Sequence, residues 1–174
     1  MTIIQDTREQ ASKHTHVLDR FKQFGIKVIR SKLPFGDYTR IDNMTTIIDT
    51  KKDLSEVYNN LIQQHDRFTN ECKAAFSAGV HLVILVEHPG IHSVSDVANW
   101  NNPRIEAWNK LRDAHKRGKQ MNKPLSPHPP VPSERLAKAM QTIAERYHIE
   151  WRFCDKADTA RTICEILGIE VNEP

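Results

Sequence analysis

The sequence predicts an α/β domain, and three observations carry that expectation. Short β-branched, apolar segments alternate with segments whose apolar residues recur at helical spacing. Gly25, Gly79 and Gly168 each close one of the periodic segments. The run at 80–86 is continuously apolar and bounded by Gly79 and Pro89, the pattern of a strand buried on both faces of a sheet.

Residues 2–6 read as a strand. Val17, Leu18, Phe21 and Phe24 give a helix over 12–24, stopped by Gly25, and 26–29 is the next strand. Leu33, Pro34, Phe35 and Gly36 make a turn, from which a strand starts at Asp37 and runs to Ile41. Asp42 and Asn43 turn the chain into a β-branched strand at 45–50. Asp53, with Glu56 three residues on, has the form of a capping box, so a helix begins there with Leu54, Val57, Leu61 and Ile62 on its apolar face. A second helix covers about 67–77. Beyond Gly90 come a short helix at 94–100 and a longer one at 103–117. Pro124, Pro127, Pro129, Pro130 and Pro132 exclude regular structure around them. Ser133 caps a helix with Leu136, Met140, Ile143 and Tyr147 on one face. A strand at 149–154 and a helix at 159–167 finish the pattern. Residues 1–174 read as a single domain, with a basic and Pro-rich insertion at about 100–132.

Composition narrows the function classes. Hydrophobic residues are 39% and charged residues 27%, the balance of a soluble globular protein. No apolar run approaches the roughly 20 residues that span a bilayer, and no signal-type stretch opens the chain. A cytoplasmic protein with no membrane partner is expected. Cys72, Cys154 and Cys164 are odd in number and lack metal-finger spacing, so ordinary thiols are expected. Pro89 and Gly90 separate His88 from His92, and His14 and His16 diverge on a helix, so zinc is not expected. Net charge is +3, but Arg104, Lys110, Arg112, Lys116, Arg117, Lys119 and Lys123 face only Glu106 and Asp113 in one stretch. That stretch is a candidate phosphate-binding patch and equally a solvated helix face. Trp100 and Trp108 beside it read as packing residues ahead of base-stacking platforms.

The chemistry points to Asp37 and to the triplet Asp49, Thr50, Lys51. A hairpin joins the two aspartates, twelve residues apart, so both come to the same end of the sheet. In a strand, residues i and i+2 share a face, so Asp49 and Lys51 project together and Thr50 turns away. Phosphodiester hydrolysis needs this combination. Two carboxylates hold a hard cation such as Mg²⁺, with Mn²⁺ as a substitute. The cation activates water, and a lysine orients that water, assists its deprotonation or stabilises the transition-state anion. The plainer reading is a turn aspartate and an edge-strand ion pair. Asp6 and Glu9, at the end of the first strand, either add carboxylates to the same centre or cap the following helix.

Asp6-Thr7-Arg8-Glu9, Gly36-Asp37-Tyr38, Asp49-Thr50-Lys51-Lys52-Asp53-Leu54 and Val83-Ile84-Leu85-Val86-Glu87 occur in that order. Together they resemble the nuclease domain of XPF-type structure-specific endonucleases, a branch of the PD-(D/E)XK superfamily. More closely, the chain resembles stand-alone members of that branch encoded by phages and prophages. The resemblance extends into 147–167 and omits the insertion. It implies a restriction-endonuclease-like central mixed β-sheet flanked by helices, Mg²⁺ or Mn²⁺, and cleavage of branched, flapped or single-strand-containing DNA. The family's Gly-Asp aspartate falls on Asp37 and its Glu-Arg-Lys triplet on Asp49, Thr50 and Lys51. Two of those three residue types differ here. An ungapped match through the next helix would put the lysine on Lys52 and a later acid on Glu56. Lys51 is preferred, because Lys52 faces away from Asp49 unless the strand bulges.

The expected catalytic residues are therefore Asp37, Asp49, Lys51, Asp6 and Glu9, with Asp37 and Asp49 as metal ligands. Arg8, Lys52, Arg67, Lys116, Arg117 and Lys119 are the expected nucleic-acid contacts, and Phe68 and Glu71 flank the site. DNA is the expected partner, a homodimer is left open, and no small-molecule cofactor is called for. The competing class is a catalytically inactive DNA-binding or scaffold protein with a nuclease-like fold. It predicts a damaged metal site. An enzyme acting on RNA or on free DNA ends is a third reading.

Overall fold

The computed structural model describes residues 1–8, 15–118 and 124–171. Its centre is a six-stranded mixed sheet built from β1 (Thr2–Gln5), β2 (Lys27–Arg30), β3 (Tyr38–Arg40), β4 (Thr46–Lys51), β5 (His81–Glu87) and β6 (Glu150–Cys154). The order across the sheet is β2-β1-β3-β4-β5-β6. The β1–β3 and β3–β4 pairs are antiparallel, and the β1–β2, β4–β5 and β5–β6 pairs are parallel. Parallel neighbours need crossover helices, and these cover both faces.

The helices are α1 (Thr15–Gln23), α2 (Leu54–Tyr58), α3 (His65–Ser77), α4 (Val94–Val97), α5 (Pro103–Lys116), α6 (Ser133–Tyr147) and α7 (Thr159–Ile166). Against one sheet face, Val17 and Phe21 of α1 and Ala160, Ile163 and Cys164 of α7 pack with Ile3, Tyr38, Ile48, Val83 and Leu85. Against the other, Leu54, Val57, Phe68, Cys72, Leu136 and Met140 pack with Ile47, Ile84 and Val86. The strict alternation of β4 between these two cores sets its register, since a one-residue slip would exchange both faces at once. Residues 81–87 lie between β4 and β6 and are buried from Leu82 onward, as the apolar run predicts.

Three local expectations change. The helix expected from Asp53 through Ile62 breaks into α2 and a turn of π-helix at Asn59–Gln63. The side-chain Nδ2 of Asn60 donates to the Glu56 carbonyl at 2.8 Å, the acceptor that the Asn60 backbone amide would use in an α-helix. The capping box is half formed. Asp53 accepts from the Glu56 amide at 2.8 Å, but the Glu56 carboxylate accepts from Lys52 N at 3.0 Å. Ser133 does not cap α6: it is the first residue of that helix, behind Pro132, and its Oγ donates to the Trp100 carbonyl at 2.6 Å.

The three cysteines are free. Burial pushes the Cys72 and Cys164 thiols up to about 12, with nearby acids adding to the shift. Trp100 packs on the core beneath α2, α3 and α6 and meets the His88 ring edge-on, and the Trp108 indole N–H donates to the Ser126 carbonyl at 3.1 Å. Among the described residues no helix is long and apolar enough to cross a membrane.

Candidate active site

Asp49 and Lys51 leave β4 on the same face, and the Lys51 ammonium makes an ion pair with Asp49 Oδ2. Their side chains are 9% and 8% exposed. Apart from that charge contact, Asp49 Oδ2 is buried with no hydrogen-bond partner among the described residues. The ring of Phe68 lies 5.9 Å from Lys51 Nζ. Burial alone would lower the lysine pKa, but Asp49, with Asp37 and Glu56 behind it, raises it above the ordinary lysine value. The ion pair with Asp49 favours the charged form of the lysine.

The β3–β4 register pairs Tyr38 with Ile48, so Asp37, one step earlier, comes opposite Asp49. The Asp37 amide donates to the Ile48 carbonyl at 2.7 Å, and its carbonyl accepts from the Asp6 amide at 2.8 Å. Its Oδ2 accepts from Thr50 N at 2.7 Å and from Thr50 Oγ1 at 2.6 Å. The preceding Gly36 has φ +65°, and a Cβ there would sit 2.5 Å from Ile47 Cγ2 and 3.0 Å from the Ile48 carbonyl oxygen. Only glycine permits both that conformation and that approach. The Gly36 amide donates to Glu71 Oε1 at 3.1 Å, tying α3 to the turn that carries Asp37.

Asp6 is placed differently from the two central aspartates. Its carboxylate accepts from Arg8 N at 2.6 Å, from the Arg8 guanidinium at 2.9 Å through each oxygen, and from Leu33 N at 2.6 Å. Burial opposes its ionisation, yet the Arg8 side chain and amide and the Leu33 amide hold it below the usual carboxylate range. Oδ2 thus binds the chain that leads into the Gly36 turn, while Oδ1 binds Arg8 alone. Glu9 and Lys119 lie outside the described residues.

Lys52, Arg67 and Arg8 are exposed around this end of the sheet. Arg67 stands one helical turn before Glu71 on α3, on the same side of the helix. The β4–β5 ladder continues through Lys51 paired with Val86, with no bulge, and Lys52 turns to solvent. Lys116 is the last residue of α5 and Arg117 its C-cap. Glu87 ends β5 on the opposite sheet face, buried, where it accepts from Thr159 Oγ1 at 2.7 Å and lies 3.7 Å from His16 Nε2. Sequence reasoning did not connect Thr50 with Asp37, and it gave Glu71 no partner.

Among the described residues, no three His, Cys, Asp or Glu side chains gather into a closed cation cage. Asp37 stands opposite Asp49 by extension of the strand register, and two carboxylates completed by water and substrate oxygens suit a hard cation, with Asp49 Oδ2 held by the Lys51 ammonium.

The ERCC4 domain family matches residues 5–166. No curated protein matches the chain. Among solved structures, XPF from Aeropyrum pernix is similar at 18% sequence identity and a TM-score of 0.59, both alone and in a complex with DNA. The match covers 96% of this chain and 63% of that one, so the chain spans under two thirds of the length of that structure. What this likeness establishes is the shared fold, the restriction-endonuclease-like mixed sheet with helices on both faces.

Proposed function

Because the chain belongs to the ERCC4-domain family, we propose that it is a metal-dependent DNA endonuclease acting on branched, flapped or single-strand-containing DNA. One observation carries the reading: a buried lysine–aspartate pair on β4, with a second aspartate opposite it on the neighbouring strand. Burying two charges costs several kcal/mol per ion before their attraction offsets it, by order of magnitude. A merely structural strand end gains little from such a pair, whereas a phosphate-cleaving centre can use both charges.

Asp37 and Asp49 would hold Mg²⁺ or Mn²⁺, and the bound cation would supply Lewis acidity and an activated water. Thr50 holds the Asp37 carboxylate in one orientation. Lys51, protonated, neutralises charge developing on the phosphate oxygens. Asp6 shapes the turn that presents Asp37, through Leu33 and Arg8. Arg8, Lys52 and Arg67 neutralise phosphates on either side of the scissile bond. We take the chain as one nuclease domain, with the basic and Pro-rich segment at about 100–132 inserted into it.

The test is cleavage of labelled single-stranded, duplex, flap, fork and four-way-junction DNA with Mg²⁺, Mn²⁺ or EDTA. Metal-dependent cutting that Asp49→Asn abolishes is expected. Mn²⁺ binding followed by electron paramagnetic resonance gives a readout independent of turnover, and it should weaken in the same variant. DNA binding without cutting under every metal condition would select the inactive scaffold instead.

A further inference from the structure

Helix α5 has fourteen residues and buries none of them. Its apolar residues Ile105, Trp108 and Leu111 are only half-buried, so it gains little from packing and needs another source of order. Here that order is concentrated at its root. Arg104 Nη2 donates to Asn59 Oδ1 at 2.6 Å, and the guanidinium lies 5.0 Å from the centre of the Tyr58 ring. Tyr58 and Asn59 stand at the junction of α2 and the π-helical turn, directly behind the strand that carries Asp49 and Lys51. The Tyr58 hydroxyl accepts from Val131 N at 2.8 Å, and Asn102 caps the helix while donating to the Val131 carbonyl at 3.3 Å. The outgoing and returning chains are therefore pinned to one spot near the candidate active site. Further along, Trp108 braces the helix by donating to Ser126.

The cations of this helix are partnered along most of its length. At the root Arg104 is held by Asn59, in the middle Lys110 pairs with Glu106 at 2.6 Å, and further on Arg112 pairs with Asp113 at 3.1 Å and stacks over Trp108. At the tip, His115, Lys116 and Arg117 are exposed, and neither Lys116 nor Arg117 has an acidic partner among the described residues. Each Lys and Arg up to Arg112 has a partner, and the last two are left open.

Resting on the nuclease reading above, we propose that α5 is a rigid arm whose basic tip grips the phosphates of a duplex segment flanking the cut. At 1.5 Å per residue the arm is about 21 Å long. That distance corresponds to about six base pairs at the 3.4 Å spacing of B-DNA. The arm thus favours substrates with a duplex longer than that beside the cleavage point, and the tip adds nothing to shorter ones.

The experiment is equilibrium binding of the whole chain in EDTA to fluorescent flap DNAs, over a series of salt concentrations. The flaps carry a duplex flank either well above or below the length of the arm. Lys116 and Arg117 are exposed, so K116A/R117A should fold as the wild type does, and thermal melting checks this. The variant should bind the long-flank DNA several-fold more weakly, with the log–log salt slope reduced by about two, close to one per lost phosphate contact. Short-flank binding should not change. Equal weakening on both flanks would overturn the arm and leave only diffuse charge. Unchanged affinity and slope on the long flank would overturn it as well, while leaving the nuclease reading intact. Loss of poly-glutamate binding with DNA binding unchanged would redirect the tip to an acidic protein. A wild-type chain that binds neither flap would instead defeat the nuclease reading.

Discussion

Thr50 and Asp37 are joined twice: the Thr50 amide and hydroxyl both donate to Asp37 Oδ2, at 2.7 and 2.6 Å. The threonine side chain starts on the opposite sheet face from Asp49, and it sets the orientation of the Asp37 carboxylate. Thr50→Val keeps the shape and the amide bond but removes the hydroxyl. A net hydrogen bond is worth about 1 kcal/mol, so cleavage should slow by about fivefold to tenfold. Single-turnover rates check this, and an unchanged rate would show that the amide alone suffices.

Asp49 and Lys51 also form a stability unit. Removing one partner of a buried pair costs about 3–5 kcal/mol, because the other charge is left uncompensated. Lys51→Met should therefore unfold at markedly lower urea than the wild type. The double variant Asp49→Asn with Lys51→Met should recover much of that loss without recovering cleavage. Additive losses in the double-mutant cycle would mean that the two charges are not coupled.

Lys51 and Lys52 separate by their surroundings: one is buried against Asp49, the other is exposed. Lys51→Ala should lower kcat by orders of magnitude, and Lys52→Ala should act mainly on KM and salt sensitivity. The reverse pattern would move the catalytic lysine to Lys52.

Gly36→Ala forces a Cβ to within 2.5 Å of Ile47 Cγ2 at a positive φ. It should destabilise the chain by more than about 1 kcal/mol, since both the backbone conformation and the space are incompatible. Glu71→Ala should loosen the same turn through loss of the bond to the Gly36 amide, and Glu71→Gln, which keeps an acceptor, should restore it. Thermal melting and the Mg²⁺ concentration for half-maximal cutting are the two readouts. Equal behaviour of Glu71→Ala and Glu71→Gln would make the carboxylate charge, not the bond, the operative feature.

Asp6 carries an acid dependence of stability. Its pKa is lowered on folding, so its contribution is fully present above the unfolded value of 3.8 and fades as pH falls through the lower folded value. The difference in unfolding free energy between wild type and Asp6→Asn should be constant near neutrality and shrink below about pH 4. A difference independent of pH would assign the effect to packing and not to charge.

Much of this protein was legible in its sequence. Strand and helix identity followed from apolar spacing, because each element buries one side against a sheet with two covered faces. The common face of Asp49 and Lys51 followed from the two-residue period of a strand, and β4 keeps that period to its end. The break at Asn59–Gln63 did not follow, because an asparagine amide competing for a backbone carbonyl leaves the apolar spacing unchanged. Nor did the anchoring of Asp37 by Thr50. Asp37 precedes the paired part of β3, so strand alternation does not govern its side chain, and a contact across thirteen residues exists only once the hairpin closes. The split of α5 into a pinned root and an open tip was likewise decided by tertiary structure. Its charges are plain in the sequence, but the partners that satisfy Arg104 arrive from Tyr58 and Asn59, more than forty residues away.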